Sequence, residues 1–463
     1  MKRAFIVITL FFLFQNLFSE NQTVEGQPPT TLNAPTPATN HTGAAPLPSE
    51  TQPSDGFGMQ SGESPGKKIV LSGNMTTGKE VISLRRNSPL FPVMFYKSPK
   101  DTGYLTSFYG NLILALDFIY DKIEFHYKAE IAYIYPDNVK FRLLEGINRV
   151  NFNINTMLEA GIIRFKWGKG FAWNPVGFIN PYKNLEDLTR EYAGVSAIHF
   201  QYQKSLSGNT LKNIAFNAVI LPVIKGKEEN YGKLSDVNYA AKLYFLLFNI
   251  DIDLVVFGGS NVPIKTGMDF SLNLIDPVEF HVELAYQFRS YFRYFNEAGD
   301  LQEVKKNTWS LLAGFTIKLS ADTSLQLEYL YQSWGLKPQY FSHLMQSAQT
   351  AYNDYINSGS SIRIESLKNY YSENFPSGFT GRHYIYFRIQ EKDLFGITYF
   401  NPYFYLIINL EDKSMVLSPV LNYAPFQNLE INIFFVCMIG KTPSEFGSSY
   451  SRWKVGVNLK IFF

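Results

Sequence analysis

Charged and polar residues occupy every second position in several short segments of this sequence. Between Ile123 and Tyr135 the odd-numbered positions are apolar or aromatic, whereas the even-numbered positions up to 130 carry glutamate, histidine and lysine. Residues two apart in a β-strand share a face, so such a segment has one charged and one apolar face. Side chains of mixed sign on one face can select ions and polar solutes. The candidates are Glu124, His126, Lys128, Glu130, Glu283 and Arg289, followed by Glu279, His281, Arg382, Arg388, Lys454 and Lys460.

A second group of candidates lies within residues 164–180. Gly168 and Gly170 permit a tight backbone and two Asn-Pro pairs favour turns, so residues 167–190 are predicted to form an ordered loop. Two interpretations of this loop are open from sequence: it bends inward and narrows a pore, or it is a structured external loop without a role in transport. The basic and indole side chains that could line a constriction are Arg164, Lys166, Trp167, Lys169 and Trp173.

The sequence lacks the spacing of a catalytic or metal site. The six histidines form no ligand-spaced cluster, and no nucleophile-elbow or phosphate-loop pattern is present. A single cysteine, Cys437, excludes an intrachain disulfide and a Cys-rich metal site. The net charge of +2, without a long Lys/Arg block, argues against nucleic acid as a partner. We therefore expect no cofactor and no enzyme, with a Ser/His lipid hydrolase assembled between strands as the less favoured alternative.

The composition favours a chain that meets a second apolar environment. Aromatic residues make up 16% of the sequence and charged residues only 18%, below the roughly 25% that is usual for soluble domains. Beyond the N-terminus no apolar run approaches the roughly 18 residues that a transmembrane helix needs. This combination argues against a helical membrane protein.

The N-terminal part of the chain predicts export. Residues 1–19 begin with two basic residues, continue through an apolar stretch and end at Ser19, which is the pattern of a secretory signal peptide. The next residues are rich in Thr, Pro, Ser and Gly and cannot bury enough apolar surface to fold. We expect a cleaved signal over 1–19, a flexible periplasmic leader over 20–77, and an integral β-barrel over 78–463.

The last strand is the clearest alternating segment and carries a resemblance to known proteins. Its apolar positions end on the terminal phenylalanine, and residues 450–463 resemble the assembly signal of bacterial outer-membrane β-barrels. The Trp-Gly-x-Gly…Asn-Pro pattern of residues 167–181 resembles the loop that bends into the lumen of porin-like barrels, although a Gly-Arg-Gln lead-in is replaced by Gly161 to Lys166. The assembly-signal residues are Trp453, Val455, Val457, Leu459, Ile461 and Phe463.

The lengths of the connections predict the topology of an all-β, transmembrane, antiparallel up-and-down barrel. Counting back from the last strand, short connections near 424–427, 391–396, 320–322, 276–277, 248–250 and 205–210 alternate with generally longer ones, including 291–306 and 334–380. The length of the alternating region predicts about 16 strands, within a range of about 14 to 18. Residues 78–97 could add one strand, 139–166 could form one strand or two, and 340–357 could form a helix.

These predictions favour an outer-membrane channel for small solutes in a didermal bacterium. The implied partners are outer-membrane lipid, the barrel-assembly machinery during insertion, and small solutes; the oligomeric state is not indicated. An alternative is a surface adhesin or structural barrel whose long loops bind partners. Each candidate lumen charge has two interpretations. It could determine which ions or solutes pass, or it could be a paired, solvated group that fills the barrel.

Overall fold

A computed structural model of the chain describes residues 67–97, 103–134, 139–180, 192–224, 232–375 and 378–463. The signal predicted over 1–19 and residues 20–66 of the predicted leader lie outside these residues. No helix within the described ranges is both long enough and apolar enough to cross a bilayer.

The described residues form eighteen β-strands and three α-helices. Each strand pairs antiparallel with its neighbours in the chain, and β18 pairs with β1, so the sheet closes on itself. The strands are β1 Lys68–Leu84, β2 Tyr104–Tyr120, β3 Ile123–Ile134, β4 Lys140–Asn153, β5 Thr156–Ile163, β6 Val195–Ser205, β7 Leu211–Pro222, β8 Val237–Leu247, β9 Ile250–Gly259, β10 Lys265–Ile275, β11 Val278–Phe295, β12 Leu301–Lys318, β13 Thr323–Gln332, β14 His383–Glu391, β15 Tyr403–Asn409, β16 Met415–Phe426, β17 Leu429–Ile439 and β18 Ser451–Phe462. The helices are α1 Leu90–Phe95, α2 Pro338–Ser358 and α3 Ile362–Asn374.

The antiparallel closed barrel is confirmed, but the strand number is eighteen rather than about 16. One difference lies in β1, which begins at Lys68 and so includes residues that we placed in the leader up to 77. Residues 68–77 alternate weakly in sequence, yet their backbone pairs with β2 along its length. The other lies between β4 and β5, where a two-residue turn at 154–155 makes two strands.

Side-chain exposure alternates along the strands. In β3, Ile123 is 41% exposed and faces outward, whereas its neighbour Glu124 is 7% exposed and faces the lumen. In β18, Val455, Val457 and Leu459 are exposed and the alternating Gly456 is buried. The exterior is therefore apolar and the interior carries the charged faces, as a membrane barrel requires.

The connections divide between two ends of the barrel. At the turn end lie the start of β1, the end of β18 and connections 121–122, 154–155, 206–210, 248–249, 276–277, 319–322, 392–402 and 427–428. The loop end carries the remaining connections, and most short and long segments fall where the sequence predicted. The loop predicted over 291–306 is wrong, because β11 continues to Phe295 and β12 starts at Leu301. Aromatic residues stabilise this extension: the Lys305 ammonium lies 4.7 Å from the ring centre of its strand partner Tyr291.

The extended β11–β12 hairpin supports a helical cap at the loop end, formed by α1, α2 and α3. Phe341 and Leu344 of α2, Leu367 of α3 and Val93 of α1 share one buried apolar cluster with Phe295. Helix α2 confirms the helix predicted over 340–357. Apolar packing between these elements, together with a hydrogen bond from the Tyr370 hydroxyl to the Arg293 carbonyl at 3.0 Å, fixes the cap on the hairpin.

Candidate functional site

Residues 164–180, in the connection between β5 and β6, fold into the barrel and are called the strap below. Trp167 and Phe178 of the strap pack in one buried cluster with Val219 of β7, Phe257 of β9 and Ala285 of β11. These strand residues alternate with outward-facing ones, so the strap covers an apolar patch of the inner wall. Strands β6 to β9 carry apolar side chains on the inner face as well as on the outer face. The strap bends inward because it packs against the inner ones.

Glu283 of β11 holds the middle of the strap. This carboxylate is fully buried, and one oxygen accepts the backbone N–H groups of Lys169 and Gly170, both at 2.7 Å. The other oxygen accepts the Val176 N–H at 3.1 Å, and the Asn174 side-chain amide donates to the first oxygen at 3.2 Å. Buried N–H groups need acceptors, and an ionised carboxylate is a strong one. Glu283 therefore replaces the backbone partners that the irregular strap lacks.

Glu328 of β13 binds the part of the strap that follows Gly170 in the sequence. Its carboxylate accepts the backbone N–H of Phe171, and that of Ala172 at 2.9 Å. His281 lies on the same carboxylate, with its Nε2 at 3.1 Å. Gly314 of β12 stands between His281 and Glu328 in the cross-strand row, and the absence of a side chain there lets the two groups meet.

Gly314→Ala is expected to destabilise the protein. A Cβ at position 314 would lie 2.6 Å from the His281 Nε2 and 2.8 Å from the Glu328 Cγ, so both groups must shift, at about 1–3 kcal/mol for an overpacked site. Gly110→Ala is the matched control, because a Cβ there meets no heavy atom within 4 Å. Urea titration of the folded band on unheated gels measures both. Equal stability of the two variants would show that the His281–Glu328 contact is dispensable.

A row of carboxylates lies beneath Lys169. Asp253 of β9 pairs directly opposite Asp269 of β10, which pairs directly opposite Glu283. Like charges at such positions repel. The Lys169 ammonium compensates them at 3.1 Å from Asp253 and 3.9 Å from Asp269. Burial by itself would lower the pKa of Lys169, but these carboxylates outweigh it and hold the pKa above its ordinary value.

The two asparagines of the Asn-Pro pairs give the strap its internal order. The Asn180 side chain accepts the Trp167 N–H at 3.0 Å and donates to the Trp167 carbonyl at 2.7 Å, as a strand partner would. Asn174 donates to the Gly170 carbonyl at 2.8 Å. The described part of the predicted 167–190 loop is therefore ordered; residues 181–190 lie outside the described residues.

The tip of the strap reaches β14. Trp173 packs against Phe379, with ring centres 5.4 Å apart, and Phe171 packs against Tyr386 at 5.8 Å. The Arg388 guanidinium lies 4.9 Å from the ring centre of Phe171 and 4.5 Å from that of Tyr403. The strap thus leaves the wall at the end of β5, and its tip packs against the part of the wall formed by β12 to β15.

Residues 440–450, between β17 and β18, pack beside the strap tip. Phe446 shares a buried cluster with Trp173 and Tyr384. The buried carboxylate of Glu445 accepts hydrogen bonds from the Thr380 hydroxyl at 3.0 Å and from the Tyr384 hydroxyl at 2.7 Å. Burial raises the pKa of Glu445. This second inward contact supports the surface on which the strap tip lies.

A row of paired charges, called the polar belt, follows the lumen wall on the turn side of the strap. Glu124, Arg149, Glu159 and His199 occupy directly opposite positions on β3, β4, β5 and β6. Successive contacts measure 3.1 Å, 2.8 Å and 2.8 Å, and His199 continues the row to Asn217 at 2.8 Å. Each charge is compensated by a neighbour, which matches the paired interpretation of the predicted lumen charges.

The structure brings only some of the predicted site residues together. Trp167, Lys169, Trp173 and Glu283 meet in the strap and its docking site. Arg164 forms an ion pair with Glu145, and Lys166 is exposed. The polar belt holds Glu124, and the adjoining pairs His126–Asp117, at 2.7 Å, and Glu130–Arg142 lie on the same wall. Lys128 is half-buried on β3, opposite Glu145 of β4.

Arg289 differs from its prediction as a lumen residue. It is exposed, has a φ of 49° and lies at a β-bulge where β11 and β12 lose register. A bulge adds one residue to a strand and shifts the phase of the faces. Arg289 therefore stands outside the buried row that contains His281 and Glu283.

Sequence analysis missed three acidic residues of the docking site: Asp253, Asp269 and Glu328. Each is a charged residue at a lumen-facing position of a largely apolar strand. That pattern in the sequence could have identified these residues as site candidates. Across the described ranges, no group of three or more His, Cys, Asp or Glu side chains could hold a metal ion. The acidic residues instead bind the strap.

Comparisons with known proteins find the same fold. No protein-family model and no curated protein matches the chain. Among solved structures, OpdL of Pseudomonas aeruginosa superposes with a TM-score of 0.50 and 10% identity over 85% of this chain and 98% of that one. OccAB3 of Acinetobacter baumannii gives 0.49 and 10%, over 85% and 99%. OpdQ of Pseudomonas aeruginosa gives 0.48 and 11%, over 85% and 97%. At this identity the likeness to OpdL shows the fold alone, a closed antiparallel β-barrel.

Proposed function

We propose that this protein is an outer-membrane channel for small solutes whose lumen is narrowed by the strap. The observation that supports it most directly is the docking of the strap on Glu283 and Glu328. Two buried carboxylates that each accept several strap N–H groups fix a loop inside the barrel. A loop fixed in this way stays at one height inside the barrel, where it can narrow a passage without moving.

A solute that passes the strap next meets the polar belt. On β6 the strap contacts Val195 and Ala197, and His199 of the belt follows in the direction of the turn end. The ring of Phe165 in the strap lies 5.3 Å from the His199 ring, so the two features adjoin. A narrow passage with compensated charges of both signs favours polar solutes over a single strongly selected ion. We propose Arg164, Lys166, Trp167, Lys169 and Trp173 as the strap residues that border this passage.

Planar-bilayer recording of the purified, refolded protein tests the proposal. Discrete, ohmic conductance steps are the expected result. A correctly folded barrel, verified by its heat-modifiable gel mobility, that produces no steps would contradict a channel.

A second candidate function, binding of partners at the cell surface, is favoured by the helical cap. The cap exposes Ile356 and Ile362 at the loop end, where no other element of the described chain covers them. Barrels that fold correctly and show no conductance would support this function instead.

We also propose that residues 1–19 are a cleaved signal and that residues 20–66 are a periplasmic leader. Deletion of residues 22–64 behind an intact signal is expected to leave the amount of membrane-inserted protein near normal, because this segment has too few large apolar side chains to pack. Outer-membrane fractions probed by immunoblotting measure it. Loss of the barrel from that fraction would make the leader structural.

A further inference from the structure

Large apolar side chains surround the turn end of the barrel. Seven of the eight turn-end connections in the described chain carry one at the turn or directly beside it, and each is more than half exposed. These residues are Tyr120, Ile154, Phe248, Ile275, Leu319, Phe395 and Phe426. The terminal Phe463 lies at the same end and is also more than half exposed. In water such a ring would be an unusually large apolar patch.

The ring continues the outward face of the strands. Tyr120 has the outward phase of Leu116 in β2, and Ile154 has that of Val150 in β4. Leu319 likewise follows the outward positions of β12. At these three connections the outward apolar surface therefore runs to the turns themselves.

The length of the last strand gives the depth of this surface. Trp453 packs against Tyr104 on the outer face, as aromatic residues do at a membrane interface. From Trp453 to Phe463 the strand rises about 3.3 Å per residue at a tilt of about 40°, which spans about 25 Å along the membrane normal. That equals the height of the apolar band of an outer-membrane barrel, about 25 Å. With Trp453 at one interface, Phe463 and the neighbouring turns lie at the other.

The longest turn-end connection has the same character. Residues 392–402 place Phe395 at 86% exposure, the largest value among the large apolar side chains of the described residues. The turn is fixed: the Leu394 N–H donates to the Phe400 carbonyl at 3.0 Å and the Asp393 N–H to the Asn401 side chain at 3.1 Å. The tip of the β11–β12 hairpin at the opposite end is polar, from Asn296 to Asp300. The tip of the 392–402 turn is therefore apolar, whereas the tip of this hairpin is polar.

We propose that the turn end is embedded in the interfacial layer of the bilayer, with its apolar ring in contact with phospholipid glycerol groups and the first acyl carbons rather than with periplasmic water. This inference rests on the proposed outer-membrane location. Phospholipid is the occupant that fits, because the ring extends around the barrel and continues the lipid-facing surface. A protein partner would have to encircle the barrel to cover it.

Site-directed spin labelling tests this placement. In a Cys437→Ser background, Phe248→Cys and Phe395→Cys each receive a nitroxide label, and the protein is refolded into phosphatidylethanolamine/phosphatidylglycerol vesicles. Collision rates with oxygen, which concentrates in the bilayer, and with a water-soluble nickel chelate give the depth of each label. Val457→Cys is the control within the apolar band, and Ile362→Cys is the control on the helical cap.

Labels at 248 and 395 are expected to show an oxygen-to-nickel ratio between those at 457 and 362. A ratio equal to that at 362 would place the turns in water and overturn the inference. If the label at 457 also behaves as it does at 362, the membrane barrel itself is wrong, and that result is distinct from failure of the turn-end placement. Normal heat-modifiable mobility of every variant verifies that each label reports on folded protein.

Discussion

The Val457→Arg variant is expected to lose about 2–4 kcal/mol of stability in a bilayer, the cost of a basic side chain on the lipid face near the midplane. Val457 lies near the middle of β18, is 41% exposed and faces outward between Val455 and Leu459. A guanidinium there meets hydrocarbon, and the rigid strand gives it no route to water.

Asn458→Arg is the matched control, one residue away on the opposite face. Asn458 faces the lumen, where its side-chain oxygen accepts a hydrogen bond from Asn432 at 3.2 Å. An arginine there reaches water and is expected to be nearly neutral. Both variants are refolded into lipid vesicles and titrated with urea, with the folded fraction read from heat-modifiable mobility. Equal tolerance at 457 and 458 would contradict the lipid-facing assignment and the membrane barrel with it.

The Glu283→Gln, Glu328→Gln double variant is expected to release the strap and raise the single-channel conductance. Each carboxylate accepts strap N–H groups with both oxygens. An amide replaces one acceptor oxygen by a donor, which then faces an N–H group that it cannot bind. Each lost charge-assisted hydrogen bond costs about 1.5–3 kcal/mol, so the docked position loses most of its advantage.

Glu279→Gln provides the control for this experiment. Glu279 lies on the same strand and the same face as Glu283 but is exposed close to the turn end. Tryptic cleavage after Lys166 or Lys169 reports release of the strap independently of conductance. Faster cleavage with unchanged conductance would show that the strap does not limit the pore. Unchanged cleavage would show that the two carboxylates do not hold it.

Strand faces were predictable because they depend on a period of two within one segment. The outward positions of β18 and the charged face of β3 follow from a few residues each, without knowledge of any partner strand. The turn at 276–277 was likewise local, since Asp276-Pro277 ends one alternating run and begins another. A shift of one residue in the assigned alternation would have placed every lumen-facing residue of a strand on the outer surface. Side-chain exposure therefore distinguishes the two assignments.

The docking of the strap could not be predicted, because it depends on register across the closed sheet. Five strands, β6 to β10, separate Gly170 from Glu283 in the sequence. The two residues meet only because β11 places Glu283 on the inner wall at the height of the strap. The carboxylates of Asp253 and Asp269 become neighbours for the same reason. Local pattern identified Lys169 and Glu283 as separate candidates, and only the pairing order shows that they belong to one site.

Irregular backbone accounts for the remaining differences. The bulge at Arg289 changes the phase of β11 without a glycine or proline to mark it. Residues 68–77 contain Gly, Asn and Thr, which weaken the alternation, so the sequence places them in the leader, although they form the first part of β1. Pairing with β2 and β18 compensates for this weak intrinsic preference.

Closure between β1 and β18 has a consequence for the order of folding. The Gly73 N–H donates to the Phe463 carbonyl at 2.8 Å, and the Phe463 N–H donates to the Gly73 carbonyl at 3.0 Å. The two strands that seal the sheet therefore come from opposite ends of the barrel sequence, so their contact carries the largest loop-closure entropy in the fold and forms slowly. Until it forms, both edges expose unpaired backbone groups that can join other chains. The yield of assembled protein should accordingly depend more on how long the sheet stays open between β1 and β18 than on the stability of the closed barrel.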